Sequence, residues 1–140
     1  MKKWILFLSA ILLLPPALLF GWFALTSGDH HYRHSDTFSY WLYTPDSLKK
    51  VPPVSTHVEY SYSCDPDNQQ TRFIITWKDI TNRAEQKAKL LSFLKAMNRP
   101  IKNDCLWLYH DPNNYANNYQ RYCVYQKSDT LELELFEISR

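Results

Sequence analysis

The chain has 140 residues, 16 basic against 14 acidic, and a formal net charge of +2, a length for one domain plus a short targeting or anchoring segment. With Lys2 and Lys3 set aside the two charges balance, so the rest of the chain lacks the basic excess that nucleic-acid binding requires. The two glycines, Gly21 and Gly28, lie in or beside an N-terminal apolar run. Beyond them this excludes a P-loop, a dinucleotide-binding turn and a Gly-x-Ser-x-Gly elbow, each of which needs glycine for backbone approach or positive φ.

Residues 4–25, WILFLSAILLLPPALLFGWFAL, carry no charge and at the helical rise extend about 33 Å, enough to cross a bilayer. Lys2 and Lys3 predict a cytoplasmic N-terminus, and Trp4 and Trp22 fall near the two ends, where amphipathic rings favour the headgroup level. Residues 1–28 are therefore expected to be an anchor. The MKK start suggests a bacterial inner membrane, with the remainder in the periplasm. The alternative is a cleaved signal peptide: Pro15 and Pro16 split the run and TSG offers a weak cleavage site, but the run exceeds the roughly 7–15 apolar residues usual there.

Residues 29–36, DHHYRHSD, read as a polar juxtamembrane linker, and 37–140 as an exported domain. Asp29, His30, His31 and His34 are the one metal candidate, with copper the implied ion. Cleavage after Gly28 would expose Asp-His-His, whose amine, two backbone amides and third-position imidazole suit square-planar Cu(II) or Ni(II). A solvated linker is the plainer reading.

TFSYWLYT, residues 37–44, predicts a first strand, and PDSLKKVPP a helical turn closed by Pro52 and Pro53. THVEYSYSC, residues 56–64, alternates strictly, with Val58, Tyr60, Tyr62 and Cys64 on one side and His57, Glu59, Ser61 and Ser63 on the other. TRFIITWK, residues 71–78, returns with Phe73, Ile75 and Trp77 on one face. A hairpin centred between Asp67 and Asn68 sets Tyr62 opposite Phe73, Tyr60 opposite Ile75 and Val58 opposite Trp77. Residues 82–97 predict an amphipathic helix with Ala84, Ala88, Leu91 and Leu94 along its stripe, widened by Leu90 and Met97. Thr81 or Asn82 can cap it, Glu85 and Lys89 form an i,i+4 pair, and Pro100 stops it.

CLWLY (105–109), YQRYCVYQK (119–127) and TLELELFEI (130–138) complete a β-β-β-α-β-β-β order. The expected fold is α+β: an antiparallel sheet of five or six strands packed on one helix, behind a transmembrane helix.

A turn at Ser128 and Asp129 sets Val124 opposite Leu133 and Tyr122 opposite Leu135 on a core face. A hairpin centred on Asn114 then brings Cys105 opposite Cys123 on the reverse face. In an oxidising compartment these would form a disulfide worth about 3 kcal/mol by loop entropy, leaving Cys64 as a buried thiol. The other two pairings of the three cysteines stay open.

The reverse face would carry Trp107, Tyr109, Tyr119, Arg121, Tyr125 and Phe136, aromatics with arginine of the kind protein-binding surfaces favour. The competing reading covers that face with the first strand, the linker or the loop. Glu132 and Glu134 lie on it about 7 Å apart, a separation compatible with inverting glycosidases, but a solvated edge with Arg121 diagonal to Glu134 is the plainer reading. His57, Glu59, Ser61 and Ser63 share one flat strand face, which rarely builds a triad alone.

The expectation is thus a single-pass inner-membrane protein with a periplasmic protein-interaction domain, an accessory of an envelope complex or an immunity-type inhibitor. The alternative is a ligand-binding module for cell-wall glycan, through the Asn- and Tyr-rich loop, or for copper. An enzyme is not expected.

Overall fold

The computed structural model describes residues 2–97, 101–102 and 120–138, without the side chains of 2, 3, 5–10, 101 and 102. In chain order it forms α1 (Lys2–Thr26), β1 (Gly28–Tyr32), α2 (Thr37–Tyr43), β2 (His57–Asp65), β3 (Gln70–Lys78), α3 (Arg83–Ala96), β4 (Ile101–Lys102), β5 (Gln120–Lys127) and β6 (Thr130–Ile138). The fold is α+β. Five antiparallel strands and the two-residue β4, parallel to β5, make one sheet in the order β1-β2-β3-β6-β5-β4.

Two hairpins hold the registers that side-chain alternation predicts. β2 pairs with β3 through Tyr62 and Phe73, Tyr60 and Ile75, and Val58 and Trp77. β5 pairs with β6 through Val124 and Leu133 and through Tyr122 and Leu135. A one-residue slip would turn every apolar side chain to the other face, so burial of one face sets the register. The Asp65 carboxylate fastens the first turn by accepting from the amides of Asp67 and Asn68, an Asx turn.

The core lies between one sheet face and the helices. Phe73, Ile75, Leu131, Leu133, Leu135, Tyr122 and Val124 meet Leu90 and Leu94 of α3, all almost wholly buried. The stripe of α3 is displaced from the expected one. Leu90 and Leu94 lead it, with Leu91, Phe93 and Met97 packed beside them, while Ala84 and Ala88 are exposed. Short alanines on the outer face cost little, whereas leucines gain about 2 kcal/mol each by burial. Asn82 precedes the helix in the left-handed region without a side-chain cap bond, and its amide instead bonds Glu85 at 2.6 Å. The Glu85–Lys89 pair forms at 3.1 Å.

Two expectations fail between residues 28 and 44. The stretch read as a linker supplies β1, which pairs antiparallel with β2 from Gly28 opposite Cys64 to Tyr32 opposite Tyr60. Gly28, at φ 93°, takes the backbone from helix into strand with a dihedral that suits only glycine well. The run read as a first strand is α2. Its aromatics have strand propensity, but their i,i+3 spacing lets Tyr40 and Tyr43 turn inward onto Tyr60 and Tyr62, and tertiary packing overrides propensity.

Pro15 and Pro16 lie inside α1. Among the described residues no helix is long and apolar enough to cross a membrane, the described side chains of the apolar run being Trp4 and those from Ile11 onward. These are exposed all round the helix, with Leu12, Leu18, Leu19, Phe20 and Trp22 each more than half exposed. The CLWLY strand lies outside the described residues.

Candidate functional site

The sheet face opposite α3 carries the polar side chains of the alternating strands. β1 contributes Asp29 and His31, β2 contributes Glu59, Ser61 and Ser63, and β3 contributes Arg72, Ile74 and Thr76, in rungs set by the two antiparallel ladders. Two adjoining clefts cross this face. One, of about 620 Å³, is lined by His31, Arg33, Glu59, Ser61, Thr76, Lys127 and Glu132, among others. The other, of about 360 Å³, is lined by Asp29, Ser63, Asp65, Gln70, Arg72 and Phe136, and shares His31, Ser61 and Ile74 with the first.

Mixed charge organises the walls. Glu59 takes a hydrogen bond from Lys78 at 2.8 Å and faces Arg33 at 3.9 Å, and the Lys78 bond draws its carboxyl below the usual range. Glu132 is paired with Lys127 at 3.1 Å and bonded to the Tyr125 hydroxyl, whose ionisation burial and then this carboxylate oppose. Glu134 meets Arg72 Nε at 2.9 Å in an ionic contact without the alignment of a hydrogen bond. Burial raises the Glu134 carboxyl, against the pull of Arg72 and Arg121.

Where it is described, the expected recognition face is largely covered, as the competing reading of that surface had it. Arg121 is 2 % exposed and Phe136, which shows only an edge to the second cleft, 4 %, and Tyr125 is half-buried. Glu132 and Glu134 are buried as well, not a solvated edge. Leaving water costs charged side chains free energy where it favours apolar ones, and each of these carboxylates is buried with a cation beside it. Trp107, Tyr109, Tyr119 and Cys105 lie outside the described residues. Cys123 is in a disulfide, and Cys64 is a free, half-buried thiol.

The histidines do not converge. Strand alternation sends His30 and His31 to opposite faces of β1: His30 stacks on Tyr43 at 4.3 Å, and His31 lines the clefts. His34 lies against Tyr40 at 4.5 Å. No three metal-capable side chains come together among the described residues. His57 is occupied by Asp79, at the end of its strand, and makes no triad with Ser61 or Ser63.

Sequence reasoning missed Asp29, His31 and Arg33 as cleft residues, because a polar stretch of eight residues carries no strand periodicity of its own. The one available signal was the alternation of His30 and Tyr32 with Asp29 and His31. No family model, no curated protein and no solved structure matches this chain.

Proposed function

We propose that this chain is a single-pass bacterial inner-membrane protein, N-terminus cytoplasmic, whose periplasmic domain binds a protein partner across the polar clefts, as an accessory of an envelope complex or an immunity-type inhibitor. The observation that carries the reading is the junction of α1 with the sheet. α1 exposes apolar side chains all round, a surface that water does not tolerate and lipid does, and only Ser27 separates it from β1. The anchor thus leads straight into the edge strand that builds the clefts.

A polypeptide suits these clefts better than a glycan. Sugars are held on exposed aromatic platforms, whereas the cleft walls present charges of both signs and serine hydroxyls at strand spacing. A Cys105–Cys123 bridge belongs to this reading, since an oxidising compartment sustains it. Binding, rather than catalysis, fits two carboxylates each held by a cation.

The test combines topology and capture. The full chain should resist alkaline extraction from membranes, and its domain should be protected from added protease until the outer membrane is opened. A photo-crosslinker at Ser61, inside the clefts, should capture one exported protein that a crosslinker at the exposed Ser92 of α3 does not. Equal capture from both positions, or none from Ser61, would sink the interaction reading.

A further inference from the structure

α2 carries an aromatic pair that the core leaves unused. Phe38 and Trp41 are 64 % and 66 % exposed, with their rings 6.5 Å apart, although Tyr40 and Tyr43 of the same helix pack inward. This helix is tied to the end of α1. The Tyr43 hydroxyl donates to the Leu25 carbonyl at 2.7 Å, and the Tyr62 hydroxyl reaches the Thr26 carbonyl at 3.5 Å. His30, stacked on Tyr43, adds a contact from Nε2 to the Ser27 carbonyl at 3.2 Å. The last carbonyls of a helix have no partner within it, so side chains of the domain close the end of α1. Trp41 is two residues from the tyrosine that does so.

Resting on the reading of α1 as a membrane anchor, we propose that α2 is an interfacial foot: Phe38 and Trp41 enter the boundary between lipid headgroups and acyl chains beside α1 and fix the tilt of the domain on the bilayer. Lipid is the occupant for three reasons. The helix that carries the pair is hydrogen-bonded through Tyr43 to the last turn of α1, whose own apolar surface calls for lipid. Aromatic rings, tryptophan above all, favour the headgroup boundary. Two side chains also present far less area than the roughly 800 Å² per partner of a stable protein interface.

The experiment uses the full chain with Cys64→Ser, reconstituted in vesicles of phosphatidylethanolamine and phosphatidylglycerol. Single nitroxide labels are placed by Trp41→Cys, Phe38→Cys, Phe20→Cys and Ser92→Cys, and relaxation by oxygen is compared with relaxation by a water-soluble nickel chelate. Labels at 38 and 41 should favour oxygen several-fold, as the label at 20 does, while 92 favours nickel. If 20 favours oxygen but 38 and 41 behave like 92, the foot is wrong and the anchor stands. If 38 and 41 are shielded from both relaxants, protein covers them and the foot is again wrong. If 20 itself favours nickel, the anchor fails and takes the foot with it.

Discussion

The two faces of this one sheet bury side chains for opposite reasons. On the α3 face, Leu133, Leu135, Val124 and Phe73 are buried because water rejects them, and they need only neighbours of the right volume. On the other face, Glu132, Glu134 and Arg121 are just as inaccessible, yet each would be costly to bury without an opposite charge beside it. Adjoining them, the same face opens into the clefts around His31 and Ser61. One face holds the fold together and the other spends stability on a shaped, charged surface.

Replacing Leu133 by Ala strikes the first face where it is tightest, and should cost about 3 kcal/mol in equilibrium denaturation. A loss below about 1 kcal/mol would mean that the apolar face is not the main source of stability. Glu134→Ala, on the second face, should cost about 2 kcal/mol by leaving the guanidinium groups without their carboxylate.

The pH response separates the faces further. Burial raises the Glu134 carboxyl, so the folded state holds its proton to higher pH than the unfolded chain does. Its contribution is then greatest in acid and falls as pH rises through the displaced value. The stability of the wild type relative to Glu134→Gln should therefore decline from acid toward neutral pH. A difference that grows instead would show that Arg72 and Arg121 outweigh desolvation.

Smallest in stability should be Ser61→Lys, on the open part of the second face. It should change the unfolding free energy by less than about 0.5 kcal/mol while abolishing partner capture from a crosslinker at His31. Intact capture would move the binding surface elsewhere.

Much of the first face was legible in the sequence. Strict alternation in residues 56–64, 71–78 and 130–138 names which side chains share a side, and matching two apolar sides yields the registers of both hairpins. What covers a side is a different question. Arg121 and Glu134 look like solvent residues by type, and nothing local announces that they are sheltered and paired. Residues 28–44 misled for a related reason. β1 is polar except at Tyr32, and the aromatic run of α2 fits a strand or a helix until Tyr60 and Tyr62 are in place to receive Tyr40 and Tyr43.

If the domain binds a partner as proposed, the single residue between α1 and β1 also sets how it searches for one. A domain on a flexible linker sweeps a volume that grows with the linker's reach. This one has almost no slack, and a chain segment of this size has a radius of gyration of about 13 Å. With α1 in the bilayer, the clefts stay within roughly 30 Å of the lipid surface. A partner confined to the same membrane would meet them by diffusion in two dimensions at high effective concentration, so even a weak contact would be occupied much of the time.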